Sequence, residues 1–377
     1  MRLIINTTTL SGTGVSQVAI SFINECIAFP ENEYYVFLSS TVSKEINEKA
    51  FPNNFHFYSF DFHPLYGING FKTRKRLKDL EKQINPDLVF TVFGPACWTP
   101  NSKHITGFAN SYYVFPDSPF FKVIGFKDKL RIFLLKLGHR FFLKKNGEYF
   151  ICKTDAMSAG LSRYLNISSN KVFTVSNTFS KIYENFKQSD FNRKILLNKE
   201  VTEFRFLILA SYDVHKNLTI LNEVIPLLKE KLSDINVKFI LTINENIFAE
   251  KFTLIAQDYI INLGRVPIDS CPQLYSECDA VFLPTLIESF SANYPEAMIM
   301  EKPIMTSDLP FAKSICEDAA LYFDPMNPED IVIKIMEFVR NENLRDGFVK
   351  AGLNRLQHFG DASTRAKRYL EIFKELL

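Results

Sequence analysis

The chain has 377 residues, 46% hydrophobic and 23% charged, which is normal for a soluble globular protein of two ordinary domains. The net charge of +2 is too small for nucleic-acid binding by bulk electrostatics, so no nucleic-acid partner is expected. No apolar run suits a signal peptide or a membrane span, so we expect a cytoplasmic protein.

The first half of the sequence alternates strand and helix patterns. A buried strand at 2–6 leads through a glycine loop to apolar residues at helical spacing from Val15 to Cys26, and a second strand follows at 34–38. This strand–helix–strand order predicts a parallel sheet. Further strands are predicted at 55–60, 88–93, 104–108, 149–152 and 172–175, and helices at 71–83 and 154–165.

A long basic helix is predicted from Lys122 to Lys145, where Lys and Arg interleave with Phe, Leu and Ile. One interpretation is a helix that packs its apolar face on the core and leaves its charges in water. The other is contact with an anionic membrane surface, which would make the protein peripheral on the inner face of the cell membrane.

The second half repeats the alternation after a polar, aperiodic stretch at 180–203, which we interpret as the domain linker. The sequence thus predicts an α/β protein of two doubly wound, Rossmann-like domains, 1–180 and 181–360, facing a central cleft. A closing helix at 361–377 is expected to pack back on the first domain. Strands are predicted at 206–210, 237–241, 259–263, 279–283, 303–306 and 320–323, and helices at 268–277, 294–300, 330–341 and 342–357.

Two glutamates, Glu288 and Glu296, flank the start of a predicted helix after the strand at 279–283. A helix N-terminus suits phosphate because its first amides lack intrahelical acceptors and the positive end of the dipole lies there. A carboxylate inside the helix suits ribose hydroxyls, and one before it can reach sugar hydroxyls. Alternatively, Glu296 only stabilises its own helix start and Glu288 is a solvated loop residue.

Lys216 opens another predicted helix, directly after the strand at 206–210. A cation is unfavourable at a helix N-terminus, so an anion such as a diphosphate would explain it, although it can also be an ordinary exposed lysine. Gly12 and Gly14 follow the first strand, where glycines let a backbone approach a ligand, or where they simply form a strand–helix turn.

Several motifs, taken in order, resemble those of the retaining glycosyltransferases of family four, the group 1 type with the GT-B fold. The E-x7-E spacing of Glu288 and Glu296 is the first of them. The segments 275–280, 301–308, 318–325 and 263–266 resemble the elements LY..AD, G.P...S, GDAA.YFDP and LG.V of that family. The resemblance covers most of residues 204–360.

The resemblance implies a function for each of these positions. Glu288 and Lys216 would be catalytic, holding the donor sugar and its diphosphate, and Glu296 would hold the ribose. The remaining donor-binding residues implied are Ser291, Ala292, Asn293, Tyr294, Gly264, Arg265, Val266, Gly12, Gly14 and Ser211.

The sequence also departs from the family pattern. Ala210 and Ser211 replace the usual Gly-Arg, so a second phosphate cation is missing or comes from elsewhere, with Arg265 as a substitute. Many members carry a histidine near the reacting sugar. Asn110 lies close to that place and His104 precedes it by six residues, and the catalytic role is assigned to neither.

The implied activity is transfer of a sugar, with retention, from a UDP- or GDP-sugar to a saccharide or lipid-linked acceptor, in bacterial surface polysaccharide or glycolipid synthesis. No Asp-x-Asp ends a predicted strand, so we expect neither a metal nor another cofactor. Two alternatives stay open: a nucleotide-sugar epimerase of the same fold, and a catalytically degenerate subunit that binds a partner.

Overall fold

A computed structural model of the chain describes residues 1–11, 13–186, 194–360 and 362–377. These residues cluster into two compact units. The N-terminal unit comprises Met1–Val114, Phe126–Asn177 and the C-terminal helix, and the C-terminal unit comprises Phe115–Gly125 and Thr178–Gly360. Gly12 lies outside the described residues.

Each unit is built on one sheet whose strand pairs are all parallel. The strands are β1 Arg2–Asn6, β2 Glu33–Ser39, β3 Phe55–Phe60, β4 Leu88–Thr91, β5 Lys103–Gly107, β6 Tyr149–Cys152, β7 Val172–Thr174, β8 Glu203–Ile208, β9 Asn236–Leu241, β10 Ile260–Asn262, β11 Ala280–Leu283, β12 Ile304–Ser307 and β13 Ala320–Phe323. Their orders are β3-β2-β1-β4-β5-β6-β7 and β10-β9-β8-β11-β12-β13. Both orders reverse direction beside the first strand, which is the doubly wound arrangement.

Helices connect the strands. They are α1 Thr13–Glu25, α2 Gly67–Ile84, α3 Ser111–Val114, α4 Phe120–Val123, α5 Phe126–Asn146, α6 Asp155–Leu165, α7 Lys181–Glu184, α8 Leu221–Lys231, α9 Glu245–Lys251, α10 Leu254–Gln257, α11 Cys271–Ser276, α12 Asn293–Ile299, α13 Pro310–Cys316, α14 Pro328–Arg340, α15 Glu342–Leu356 and α16 Ala362–Leu376. None of the helices in the described ranges has the length and apolarity that a bilayer crossing requires.

The core of the N-terminal unit lies on both faces of its sheet. Leu3 and Ile5 of β1 pack with the helix residues Phe22 and Phe373 on one face, and Ile4 packs on the other. Because successive strand residues point to opposite faces, a strand buried on both sides reads as a continuous apolar run. Helix α16 also belongs to this core, because Phe373 and its neighbours pack in the same cluster as Leu3 and Ile5.

The core of the C-terminal unit contains a row of phenylalanines across its strands. Phe206 lies 5.7 Å from Phe239 and 5.9 Å from Phe282 between ring centroids, and Phe282 lies 5.0 Å from Phe323. Leu207, on the opposite face of β8, packs in a second cluster. Burial of such side chains contributes roughly 1.5–3 kcal/mol each, so both faces of this sheet are held by apolar contact.

The fold class predicted from the sequence is confirmed, with differences in detail. The basic helix expected from Lys122 to Lys145 is two helices, α4 and α5, because Ile124 is extended and Gly125 favours a break. Residues Phe115–Gly125 cluster with the C-terminal unit, although the sequence assigned all of 1–180 to the first domain. Helices α3, α7, α9, α10 and α13 were not predicted.

Candidate functional site

The candidate site lies at the carboxyl ends of β8 and β11, which are neighbouring parallel strands. The segment after β11 is joined to the segment after β8 by two hydrogen bonds. The amide of Leu286 donates to the carbonyl of His215 at 2.8 Å, and the side-chain amide of Asn293 donates to the carbonyl of Leu209 at 2.7 Å. This edge of a doubly wound sheet is where ligands bind.

Lys216 and Glu288 form an ion pair here, with 2.6 Å between Nζ and Oε2. Their side chains are 17% and 20% exposed, so the pair is shielded from most solvent yet not sealed. The prediction that Lys216 opens a helix is wrong, because Lys216 ends a single 3-10 turn, Val214–Lys216, and α8 begins only at Leu221. The turn is closed by Asn217, whose φ is 55° and whose side chain donates to the carbonyl of Pro325 at 2.9 Å. The sequence predicted both charges but not their pairing.

His215 lies beside this pair, with its Nε2 4.0 Å from the Glu288 carboxylate. Burial lowers the pKa of His215, and the Lys216 charge lowers it further, while the Glu288 carboxylate opposes them. The imidazole is therefore neutral at pH 7, when it can accept or donate a hydrogen bond. The sequence analysis missed this residue, and its position next to Lys216 was the available signal.

Glu296 in α12 is held by two tyrosines. The hydroxyl of Tyr275 donates to its Oε2 at 3.1 Å, and Tyr183 donates a second bond. Burial raises the pKa of Glu296 to about 7, against the opposing effect of these two hydrogen bonds. This carboxyl is thus poised between its charged and neutral forms near neutral pH. Neither tyrosine was identified from the sequence as part of the site.

The residues around the start of α12 divide by what their side chains do. Ser291 and Ala292 precede the helix and are half-buried, and Asn293 anchors it to the end of β8. Tyr294 is fully buried, and its hydroxyl lies 2.8 Å from that of Thr306. The expectation of a donor contact for Tyr294 is therefore limited to its backbone, because its side chain belongs to the core.

The loop after β10 and the end of β8 carry the other predicted donor contacts. Gly264 has a φ of +67° and open space where a Cβ would stand, and Val266 packs on the apolar cluster below. Arg265 is exposed and forms no hydrogen bond or ion pair within the described ranges. The hydroxyl of Ser211 donates to Asp213 at 2.7 Å and so serves its own loop.

In the N-terminal unit, His104 is a core histidine. Its Nδ1 donates to the carbonyl of Asn146 at 2.6 Å, its Nε2 lies 2.9 Å from the Thr91 hydroxyl, and burial lowers its pKa to about 4. We therefore do not retain it as an acceptor-side residue. Asn110 is half-buried beside Tyr113, and Gly14 is exposed.

Within residues 1–11, 13–186, 194–360 and 362–377, no three His, Cys, Asp or Glu side chains come together in a way that would hold a metal ion. Metal independence nevertheless stays a prediction.

Comparison with known proteins supports the reading of these motifs. Residues 189–355 match the family model described as glycosyl transferases group 1. The O-antigen chain mannosyltransferase RfbU of Salmonella typhimurium is 25% identical over 52% of this chain and 53% of its own length. An uncharacterized glycosyltransferase of Methanocaldococcus jannaschii is 24% identical over 63% and 66%. The chain thus spans about half to two thirds of the length of these relatives.

Solved structures match over the whole chain. A glycosyltransferase from Rickettsia africae ESF-5 has a TM-score of 0.71 and 16% identity, covering 99% of this chain and 98% of its own. HepE of Anabaena, solved in complex with UDP, has a TM-score of 0.67 and 11% identity, covering 99% of both chains. At such identities the likeness to these structures shows the fold alone. Residues 189–355 are thus similar to the group 1 glycosyltransferases, and the chain has the GT-B fold.

Proposed function

We propose that the protein transfers a sugar, with retention, from a nucleotide-sugar donor to an acceptor. The observation that carries this proposal is the ion pair between Lys216 and Glu288, which lie 72 residues apart in the sequence and meet because β8 and β11 are neighbours, with Glu296 in the helix that follows Glu288. A charged pair and a poised carboxyl at a strand edge suit a ligand with a diphosphate, a ribose and a sugar.

In this proposal Lys216 neutralises the donor diphosphate as a compact point charge. Its pairing with Glu288 fixes the ammonium group before the donor arrives, which lowers the entropy that binding must overcome. Glu288 uses its remaining lone pairs for the hydroxyls of the donor sugar. Glu296 accepts hydrogen bonds from the ribose, and Arg265 adds a second cation near the phosphates.

The chemical step requires little covalent work from the protein. The bond from the anomeric carbon to the phosphate oxygen breaks, and the acceptor oxygen bonds to that carbon on the same face. The departing phosphate keeps the electron pair of the broken bond and takes the proton of the acceptor hydroxyl. Atoms and charge therefore balance. The protein contributes position and stabilisation of the charge that develops on the leaving group, which ordinarily supply much of the rate.

The class of donor and acceptor is inferred from the relatives. RfbU is named for mannosyl transfer in O-antigen chains, and HepE was solved with UDP. We therefore propose a hexosyltransferase that uses a UDP- or GDP-sugar without a metal. Its acceptor would be a saccharide or a lipid-linked saccharide of a bacterial surface polysaccharide or glycolipid, and the reaction would be cytoplasmic.

Neither alternative is favoured by the comparisons. A nucleotide-sugar epimerase would share the fold, but the relatives found are named as transferases. A degenerate subunit would have no reason to keep Lys216, Glu288 and Glu296 in one arrangement.

The test is a thermal-shift and donor-hydrolysis screen with UDP-, GDP-, ADP- and TDP-sugars in EDTA. We expect one nucleotide class to raise the melting temperature and to be hydrolysed slowly. Glu288→Gln and Glu296→Gln keep the side-chain shape while removing the charge, and both should lose the effect. Glu329→Gln is the matched control, because Glu329 pairs with Lys231 on the exposed surface of the same unit.

The possible results separate the hypotheses. If one nucleotide class stabilises wild type and Glu329→Gln but neither Glu288→Gln nor Glu296→Gln, the result supports the donor site and identifies the donor nucleotide. If no nucleotide shifts the melting temperature, the transferase proposal fails and the degenerate subunit becomes the better account. If the shift needs added divalent metal, metal independence is wrong.

A further inference from the structure

Helix α5 presents an apolar stripe to solvent. Leu130, Phe133, Leu134, Leu137 and Phe141 follow helical spacing, and each is between 46% and 59% exposed. A stripe of this spacing ordinarily packs on a core. The interpretation that this helix packs its apolar face on the core therefore does not hold for these five residues, and the stripe needs another partner.

The same part of the N-terminal unit carries an excess of positive charge. Helix α5 has seven basic residues and one acidic residue, and α2 has six and two, so together they carry a net +10. The whole chain carries +2, so the remainder carries −8. One of the acidic residues of α2, Glu81, is buried and accepts a hydrogen bond from Trp98. The positive field is therefore local to this surface.

A pocket of about 640 Å³ opens between α2 and α5. Four cations line it: Arg74, Lys75, Lys78 and Lys145. None of them pairs with a carboxylate in the part of the chain that the structure describes. Four unpaired cations around one opening repel each other, and an anion relieves that repulsion.

Asn146 adds a buried donor to this pocket. It lines the pocket and is only 7% exposed. Its Oδ1 accepts from the Thr99 hydroxyl at 2.8 Å, while its Nδ2 has no partner within the described residues. A buried N–H group left without an acceptor is unfavourable, because it has lost its hydrogen bonds to water. An acceptor oxygen from a ligand would satisfy it.

We propose that this pocket binds the phosphate headgroup of an anionic membrane lipid, while the apolar stripe lies in the lipid interface. The cations and Asn146 supply charge and a hydrogen bond to phosphate oxygens. The stripe, together with Phe71 at the mouth of the pocket, contacts the acyl chains. Phosphate and hydrocarbon at adjoining positions are what a bilayer surface offers and what a soluble phosphate lacks. This inference does not depend on the transfer activity.

The test is flotation of the full chain with vesicles of phosphatidylcholine alone or mixed with phosphatidylglycerol, without any sugar nucleotide. Wild type should float only with the mixed vesicles. The triple variant Lys75→Ser, Lys78→Ser and Lys145→Ser should bind roughly 100-fold more weakly, at about fivefold per lysine. The control triple Lys44→Ser, Lys229→Ser and Lys350→Ser removes the same charge from exposed positions elsewhere and should bind like wild type.

Further variants test the stripe and the buried amide. Phe133→Ser with Leu137→Ser should weaken binding by about tenfold or more, whereas Leu254→Ser with Ile333→Ser, which are also exposed, should not. Asn146→Asp should weaken binding, because its carboxylate repels the headgroup phosphate. If this variant does not fold, the triple variant of the exposed lysines is sufficient to test the headgroup site.

Several results would overturn the proposal. Equal binding to both vesicle types, or unchanged binding of the lysine triple, removes the headgroup site. Displacement by glycerol 3-phosphate shows a site for soluble phosphate instead. A dimer in solution that the stripe variant dissociates, without vesicle binding, shows that the stripe contacts a second copy of the chain.

Discussion

The two units share a doubly wound parallel sheet but hold their ion pairs differently. In the N-terminal unit, Arg365 and Glu25 are 4% and 8% exposed, and the guanidinium also donates to Ser21 at 2.8 Å. In the C-terminal unit, Lys216 and Glu288 are 17% and 20% exposed. The Arg365 guanidinium donates its hydrogen bonds within the protein. The Lys216 ammonium and the Glu288 carboxylate keep donors and lone pairs that a ligand can use.

The Arg365–Glu25 pair, here called the closed pair, belongs to a set of contacts that attach helix α16. Arg365 and Tyr369 lie in that helix, and the Tyr369 hydroxyl accepts from the buried Lys153 at 2.7 Å. Burial lowers the pKa of Lys153 to about 7, with the Arg365 charge adding to it. The comparison teaches that burial alone does not mark a functional charge. Only the Lys216–Glu288 pair combines partial exposure with a position at the carboxyl ends of neighbouring strands, which is why we propose it, of these two pairs, as the ligand site.

The largest expected effect is on the closed pair. Glu25→Gln leaves the Arg365 guanidinium buried without its counter-charge, which should cost about 3–5 kcal/mol in the free energy of unfolding. Urea unfolding measures it. Glu371→Gln is the control, because Glu371 and Arg368 are both about half exposed, and it should cost less than about 1 kcal/mol. Equal costs for the two variants would mean that the buried Arg365–Glu25 pair stabilises the protein no more than an exposed pair does.

Much of the fold could be predicted because buried parallel strands read as continuous apolar runs. Strands such as β1 and β11 have four buried residues in succession and were found within a residue or two. Helix α13 has seven residues, too few for a helical period to stand out, and it was missed, whereas the equally short α12 was predicted because it lies in the segment of Glu288 and Glu296. The break between α4 and α5 was missed because a single glycine does not always end a helix.

The site was predictable in its charges and not in its contacts. Glu288, Glu296 and Lys216 stand in motifs that a sequence displays directly. That Lys216 would meet Glu288 depends on which strand ends become neighbours in the sheet. That Tyr183 would donate to Glu296 depends on the packing of α7 against α12. No local pattern encodes contacts over such distances along the chain.

The Lys216–Glu288 pair, here called the open pair, should affect activity more than stability. Lys216→Met removes the cation proposed to meet the diphosphate, and should lower kcat/KM for donor hydrolysis roughly 100-fold or more. The loss of unfolding free energy should stay near 1–2 kcal/mol, because water still reaches Glu288. Steady-state kinetics and urea unfolding on the same variant give both values.

The control for that variant is Lys231→Met, which breaks the exposed pair with Glu329 in the same unit. It should leave both kinetics and stability nearly unchanged. A Lys216→Met enzyme that loses several kcal/mol of stability and little activity would make the open pair structural, like the closed one.

Glu296 should make donor affinity depend on pH. Its pKa of about 7 means that the ionised carboxylate, the better hydrogen-bond acceptor for ribose, forms as the pH rises through 7. Affinity for a UDP-sugar should therefore increase about fivefold to tenfold from acidic to alkaline pH. Calorimetry with a nucleotide-sugar is suitable, because its diphosphate diester does not itself titrate there. Glu296→Gln should bind weakly at every pH.

Stability should respond to the same group in the opposite direction. The folded-state pKa is raised from 4.5 to about 7, so the folded protein binds this proton more tightly than the unfolded chain. The stabilisation from Glu296 is complete below about pH 4.5 and is lost as the pH rises to about 7. The difference in unfolding free energy between wild type and Glu296→Gln should follow that window. A constant difference would show that Glu296 does not titrate there.

The smallest effect is expected from Arg265, a cation whose charge the protein itself leaves uncompensated within the described ranges. If it replaces the arginine that the family carries at the position of Ser211, Arg265→Ser should raise the KM for donor about fivefold and leave the unfolding free energy unchanged. The loss should shrink at high salt, because an exposed charge is screened. Lys229→Ser, an exposed cation of the same unit, should change neither value. Equal KM values for both variants would mean that the diphosphate is held by Lys216 without help from a second cation in this loop.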